Sequence, residues 1–480
     1  MKALLWFRGK DLRVADHAAL DAACRSCDEL IPLFVLAPRY FKGEGPTSAP
    51  HRLQFLLDAL RELAQAIAER GSKLHIVEGP ATVVIPQLVE RWKIDRVLTM
   101  RSADPQARAR DERLKAMLRA RFETFEHETL TPVSSVKTGS GAAFQVYTPF
   151  ARAAMAQLDH VTTLPAPTRL PPLPAATPAS LAIPSLPELA LEPNPNLQRG
   201  GETIARERLA EFVAGSARHY DVERDRLDRA STSRLSADLH FGTLSVRTIW
   251  SEVSRELGHL HPNSLRRYRA ELLWRDFAYH TLFDRPNLLR EPFRSDFIGF
   301  PWLDDDAGFE AWWRGGTGYP VVDAAARQLL REGFVHNRAR MIAASFLTKH
   351  LLVHYQRGEH HYLRYLTDGD LAQNNMGWQW CAGSGCDAQP YFRIFNPVTQ
   401  GQRFDPHGDY VRRYVPELAR MPTRYIHAPW LAPPNVLRDA EVTLGVHYPE
   451  PIVEHATARQ RYLLVAGEHL KHGSKRSARA

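Results

Sequence analysis

Short apolar runs alternate with longer amphipathic stretches over the first 130 residues. KALLWF (2–7), LIPLFVL (30–36), KLHIV (73–77) and DRVLTM (95–100) have strand length and β-branched or aromatic content. HRLQFLLDALRELAQAIAERG (51–71), PATVVIPQLVERW (80–92) and PQARARDERLKAMLRARF (105–122) repeat apolar residues at helical spacing. Gly71 is placed to end the first helix, and Pro80 and Pro105 open the other two. FETFEHETL (122–130) supplies a fifth strand. The alternation predicts that residues 1–130 form an α/β, Rossmann-like domain: a doubly wound, five-stranded parallel sheet with helices on both faces.

The pattern then changes twice. Between 131 and 200, Pro at 165, 167, 171, 172, 174, 178, 184, 187, 193 and 195 excludes a regular helix or central strand over 160–200. That stretch reads as an extended connector running over the surface between two domains. From 201 to 472 the spacing is helical: ETIARERLAEFVAG (202–215), SLRRYRAELLWRDFAYHTLF (264–283), YPVVDAAARQLLREG (319–333) and NRARMIAASFLTKHLLVHY (337–355) predict an all-α domain. GSKRSARA (473–480) reads as a basic, frayed end.

Composition narrows the class. A chain of 480 residues with 44% hydrophobic and 24% charged residues is of ordinary globular type. No apolar run approaches the ~20 residues that span a bilayer. In MKALLWFRGKD the charges at Arg8, Lys10 and Asp11 arrive too early for a signal-peptide core, so the expected location is the cytoplasm. The net charge of +8 permits a polyanionic partner. Its excess is spread along the chain, so a nucleic-acid groove requires clustering on folding. Cys24-x-x-Cys27 has the spacing of half a zinc site, but Cys381 and Cys386 lie far away at a wider spacing. Free thiols and no metal are expected.

Candidate chemistry concentrates in the helical part. DGDLAQNNMGWQWCAGSGCDAQPYFRIFNPVTQ (368–400) mixes acids, amides and large rings. Such a mixture suits a pocket wall for a flat ligand with polar edges, or a capped helix end with its loop. TSRLSADLHFG (232–242) can cradle a phosphate at a helix start or merely cap the helix. AELLWRDFAYH (270–280) sets Glu271, Trp274, Arg275 and Tyr279 at helical spacing, where Glu271 and Arg275 also fit a surface ion pair. In HNRARM (336–341), Asn337 and Arg340 share one helix face and Arg338 and Met341 the next, enough for two ligands. No G-x-G-x-x-G follows the first strand, so a standard dinucleotide site there is unsupported.

Read together, these motifs resemble a known family. WFRxxDLRxxDxxAL is met by Trp6, Phe7, Arg8, Asp11, Leu12, Arg13, Asp16, Ala19 and Leu20. TSRLS (232–236), ELLWRDF (271–277), TGYPVVDAAARQL (317–329), HNRARMIAASFL (336–347), DGDLAQNNMGWQW (368–380) and PYFRIFNPVTQGQRFD (390–405) follow in order. The chain resembles the photolyase/cryptochrome flavoproteins from residue 2 to about residue 430. Met341, Asn374, Glu271, Trp274 and Trp380 make it most similar to the bacterial class I cyclobutane pyrimidine dimer photolyases. The pair of active-site His expected for (6-4) photolyases is not found at 336–341.

The resemblance implies light-driven repair of cyclobutane pyrimidine dimers by electron transfer from reduced FAD to a flipped-out lesion. FAD would be held by Tyr220, Thr232, Ser233, Arg234, Leu235, Ser236, Arg275, Asn337, Arg340, Asp368, Asp370 and Asn374, with Asn374 opposite flavin N5. Trp274 and Trp380 would face the fused pyrimidines, Glu271 would hydrogen-bond them and Met341 would pack against them. Arg224, Arg338, Arg393 and Gln400 would contact flanking phosphates. Trp378, a middle residue and Trp302 would carry charge from the surface; the middle position, tryptophan in the family, is Tyr355 here. A second, antenna chromophore would occupy the N-terminal domain. The Asn-Glu of folate-binding members is Gln106-Ala107 here, which weakens the case for folate and leaves a deazaflavin, a second flavin or none. Met376 replaces a usual Gly, and nothing in the sequence accounts for it. The expected partner is dimer-containing DNA, met by a monomer at the nucleoid without a membrane. The alternative functions are a cryptochrome-like blue-light photoreceptor and (6-4) photoproduct repair; an NAD(P)H-dependent flavin enzyme lacks any nicotinamide motif.

Overall fold

A computed structural model describes residues 1–477 apart from His127 and Pro178, with side chains through Lys471. Five strands, β1 (Lys2–Phe7), β2 (Glu29–Leu36), β3 (His75–Glu78), β4 (Arg96–Met100) and β5 (Phe122–Phe125), form one parallel sheet in the order β3-β2-β1-β4-β5. In the central strand, Leu4 pairs with Ile31 on one side and Val97 on the other. Alternation decides the two faces. Ala3, Leu5 and Phe7 enter one core with the helix Pro50–Glu69, while Leu4 and Trp6 enter the other with the helices Ala81–Trp92 and Pro105–Leu118. Gly71, at φ +78°, ends the long helix as its sequence position predicts.

The chain divides into two compact units that do not follow chain order. The first is Met1–Asp221, Thr232–Pro286 and Thr367–Ala372; the second is Val222–Ser231, Asn287–Leu366 and Gln373–Ala480. Buried polar bonds explain why helical residues join the sheet in the first unit. The loop after β1 holds Asp11, Arg13 and Asp16, all buried. Arg13 Nη1 donates to the Gly242 carbonyl at 2.9 Å, and Ser245 Oγ donates to Asp16 Oδ2 at 2.5 Å. The helix Pro262–Asp284 buries Asp276 completely, and that carboxylate accepts the backbone N–H groups of Leu130 and Thr131 at 3.2 and 3.1 Å. The fifth strand therefore stops at Phe125 instead of running on to 130: its expected last residues bond to a helix side chain rather than to the sheet.

The proline-rich stretch is extended and lies on the α/β layers. Leu30 N–H donates to the Pro172 carbonyl at 3.0 Å, Leu181 N–H to Ile76 at 2.9 Å, and Leu170 and Leu191 are buried.

The second unit is helical around Trp312, Phe346, Leu347, Trp378 and Tyr410. The single helix expected over 337–355 is corrected: it is interrupted. The α-helix Asn337–Ser345 passes into a π-helical turn, Phe346–His350; Leu352 takes a left-handed φ of +57°, and His354 caps a new helix, Tyr355–Tyr365, by accepting from Gln356 N–H. Apolar spacing continues through the break because both sides bury residues in the same core, so periodicity alone misses it. The last helix, His455–Ser477, runs into the segment expected to fray, whose final residues 478–480 lie outside the described ones.

Gly242 tests the junction within the first unit. Its φ is +62°, and an added Cβ would meet the Lys10 carbonyl oxygen at 1.9 Å. Gly242→Ala combines a left-handed penalty with a backbone clash, an expected loss of about 2–4 kcal/mol. Denaturant unfolding measures it; a change below about 0.5 kcal/mol contradicts this account of the junction.

Candidate functional site

In the first unit, the turn Thr232–Leu235 leads into the short helix Ser236–Phe241. Arg234 has a left-handed φ of +52°, which turns the chain tightly there. Ser233 Oγ accepts from Tyr268 O–H at 3.0 Å and from Leu235 N–H at 3.4 Å, so its own hydrogen remains available to an anion. Ser236 is exposed at the helix start. Tyr220 is buried, edge-on to Phe212 and Tyr268.

Asp370 is fully engaged within this unit. Its Oδ2 accepts from Tyr279 O–H at 2.7 Å and from Lys10 Nζ at 3.0 Å, with His240 Nδ1 at 3.6 Å, and its Oδ1 caps Ala372 N–H at 3.0 Å. Burial alone would raise this carboxyl, but Lys10 and His240 outweigh it and hold it well below its ordinary value. Asp370 is thus first a buried counterion and helix cap. Asp368 is half-buried, near enough to Arg52 to act on its charge.

The helix Pro262–Asp284 carries Glu271, Trp274 and Arg275. Trp274 is half-buried, and Tyr147 stacks on it with centroids 3.8 Å apart and planes 6° from parallel. Tyr147 O–H donates to the Ala270 carbonyl at 2.9 Å, which locks that ring. One face of Trp274 is therefore covered. Sequence reasoning missed Tyr147; the aromatic in QVYTPF was the available signal, but its partner lies 127 positions away. Arg275 is buried, donates to the Glu128 carbonyl at 2.7 Å, and leaves Nε without a partner.

In the second unit, His336 caps the helix Asn337–Ser345. Its Nδ1 accepts from Arg338 N–H at 3.1 Å, and burial lowers its pKa to about 4, so it is neutral with its proton on Nε2. Arg338 pairs with Asp225 at 3.0 Å, lies over the Phe404 ring and leaves Nε buried without a partner. Arg340 Nε donates to the Val335 carbonyl at 2.7 Å. Asn337 is exposed, whereas Arg224, expected at DNA phosphates, is buried beside Asp225. Asn374 Nδ2 donates to the Glu359 carbonyl at 2.9 Å, which fixes the amide and leaves Oδ1 as an acceptor. Glu359 is itself buried; its pKa is pushed up to about 7 by burial, against the hydrogen bond from Asn375.

The tryptophans of the helix Leu371–Ala382 separate by burial. Trp378 is buried, edge-on to Tyr362 at 5.1 Å and to Trp312 at 5.8 Å. Trp380 and Met341 are half-buried against the same core. Trp302 meets Tyr355 edge-on at 6.4 Å, but among the described residues no ring contact joins Tyr355 to Trp378. The Tyr355 hydroxyl is buried without a hydrogen-bond partner among the described residues, and burial raises its pKa far above the ordinary phenol value. Arg393 is exposed and Gln400 half-buried.

An unpartnered buried donor costs about 1–3 kcal/mol, and among the described residues of the first unit Arg275 Nε is such a donor. An acceptor-rich group, such as a phosphate or a heteroaromatic edge, satisfies it. Among the described residues, no His, Cys, Asp or Glu group is arranged to hold a metal.

Comparison with known proteins agrees with this chemistry. Residues 3–172 match the family model described as DNA photolyase, and residues 268–466 match the one described as the FAD binding domain of DNA photolyase. The chain is 39% identical over 469 residues to the deoxyribodipyrimidine photo-lyase of Agrobacterium fabrum, covering 96% of each chain. The crystal structure of a bacterial class III photolyase from Agrobacterium tumefaciens superposes with a TM-score of 0.91 at 38% identity, covering 98% of each chain. The cryptochrome of Synechocystis superposes at 0.88 with 30% identity, covering 97% of this chain and 99% of that one. With its two family domains in order and a relative of this identity along nearly its whole length, the chain belongs to the DNA photolyase family.

Proposed function

We propose that this chain repairs cyclobutane pyrimidine dimers in DNA under blue light. The observation that carries the reading is a near full-length match to proteins named deoxyribodipyrimidine photo-lyase, in a chain that has Glu271, Trp274, Met341 and Trp380 at the positions where the resemblance calls for lesion contacts. When bound, FAD supplies the light-driven electron that splits the dimer and takes it back afterwards.

The protein's own residues bind, orient and shield. Thr232, Ser233 and Ser236, with Tyr220, Arg234 and Leu235 around them, receive the pyrophosphate. Asp368 and Asp370 take polar edges, and Arg275, Asn337, Arg340 and Asn374 line the ring system. Trp274, held flat by Tyr147, offers a ring to a flipped pyrimidine, and Trp380 offers another. Glu271 accepts a hydrogen bond from a base edge. Arg338, Arg393 and Gln400 meet flanking phosphates, and Arg224 does so once its ion pair with Asp225 opens.

Trp378, Tyr355 and Trp302 form the proposed charge route, with Tyr355 as its weak step. Losing an electron makes a phenol strongly acidic, and among the described residues no protein group accepts a hydrogen bond from the buried Tyr355 hydroxyl. A second, antenna chromophore in the N-terminal domain, whether deazaflavin, folate or flavin, is compatible with this reading but not required by it.

The deciding experiment illuminates the FAD-loaded protein with a dimer-containing oligonucleotide. Light-dependent restoration of the pyrimidines is expected; dimers that persist in the light would leave a photoreceptor role, like that of the cryptochrome neighbour, as the better reading. A second measurement follows flavin reduction in blue light with an external reductant. Tyr355→Trp should accelerate it by about tenfold or more, equivalent to roughly 1.4 kcal/mol of barrier, and Tyr355→Phe should slow it further; a rate unchanged in Tyr355→Trp refutes the weak-step account. Gly358 supplies a third prediction. An added Cβ there would lie 2.2 Å from Trp378 Cη2, so Gly358→Ala should cost about 1–3 kcal/mol and alter tryptophan fluorescence. Wild-type stability and emission would contradict the tight packing.

A further inference from the structure

Lys349 lies in the π-helical turn Phe346–His350 and has no solvent exposure. A buried ammonium is costly unless charges or hydrogen bonds compensate it. Among the described residues no carboxylate pairs with it. Its Nζ donates to the backbone carbonyl of Arg393 at 2.8 Å and lies 5.7 Å from the Tyr462 ring centre. The titratable groups around it are the Cys381 thiol on the helix Leu371–Ala382, the Arg393 guanidinium, Tyr462 on the last helix, and the adjacent His350, kept neutral by burial. Burial lowers the Lys349 pKa to about 7, with Cys381 opposing the shift.

The carbonyl it holds belongs to an exposed loop. Phe392 is 59% exposed and Arg393 is exposed beside it. The loop is otherwise tied by Gln389 Nε2 donating to the Cys381 carbonyl at 3.0 Å and by Arg393 N–H donating to Pro390 at 3.0 Å. The hydrogen bond from Lys349 is thus made to the very residue proposed to meet a phosphate.

We propose that Lys349 is a positioning residue for DNA: hydrogen-bonded beneath Arg393, its charged ammonium holds the loop in the form that presents Arg393 to a phosphate, and DNA binding draws a proton onto it. This rests on the DNA-repair reading. A phosphate near Arg393 adds negative potential at Lys349 and favours its charged form. Binding therefore raises its proton affinity, and DNA affinity is highest at low pH and falls as pH rises through about 7. Folding stability responds with the opposite sign. The folded state binds fewer protons at Lys349 than the unfolded chain does, so the penalty of burying the charge fades as pH rises above that value.

The test is calorimetric titration, in the dark, of the FAD-loaded full chain with a duplex carrying one thymine dimer. Two buffers of different ionisation heat are used between about pH 6 and pH 8.5. The wild type should take up protons on binding and lose affinity roughly tenfold across that range, as a one-unit rise in pKa on binding requires. Lys349→Met should bind at least about tenfold more weakly at the low end, with a flat pH profile and less uptake. Lys349→Arg, charged at every pH, should restore affinity while keeping the profile flat. Zero uptake by the wild type, or equal uptake by Lys349→Met, overturns the proposal. The wild-type measurement decides even if a variant fails to fold, which circular dichroism and bound-flavin absorbance report. If the dimer duplex binds no tighter than an undamaged one at any pH, the repair reading itself fails.

Discussion

One buried carboxylate organises the first unit. Asp370 sits away from water and is surrounded by donors from distant parts of the chain: Lys10 from the loop after β1, His240 from the helix Ser236–Phe241, and Tyr279 from the helix Pro262–Asp284. An isolated carboxylate could not remain charged there, and removal of one member of such a set typically costs about 3–5 kcal/mol. The same group caps the helix Leu371–Ala382 through Ala372 N–H. The bond network that joins sheet and helices in the first unit therefore includes a helix cap.

An unpartnered donor in the same unit contrasts with that saturated centre. Asp370 is held by Lys10, Tyr279 and Ala372 N–H with His240 beside it, whereas Arg275 Nε in the same unit is buried without a hydrogen-bond partner among the described residues. Protein interiors seldom leave such groups unpaired. The contrast separates a polar group saturated by the protein from one that the protein leaves unpaired, a separation that a motif does not make. DGD reads as one unit in sequence, but Asp370 is structural first while Asp368 remains half-buried at the side.

The candidate site residues stand out in the sequence because they are of unusual type at close spacing: Glu271 with Trp274, HNRARM, and NN followed by WQW. What escaped reading involves contacts between distant positions. Tyr147 on Trp274, Gly358 against Trp378, and Lys349 under Arg393 each pair ordinary residues that mean little alone. The break after Ser345 escaped for another reason: a buried π turn and a helix share apolar spacing, and only backbone geometry separates them.

The sequence by itself determined the parallel sheet, the extended proline-rich stretch, the helical remainder and the family, because periodicity, proline and dense motifs are local signals. Tertiary structure alone decided which charges survive burial. It keeps Asp370 ionised beside Lys10, makes His336 neutral, leaves the Tyr355 hydroxyl without a hydrogen-bond partner among the described residues, and brings Lys349 to a value near neutrality. The physical reason is common to all four. Burial sets the electrostatic cost of a charge, and which neighbours offset it depends on residues that only folding brings together.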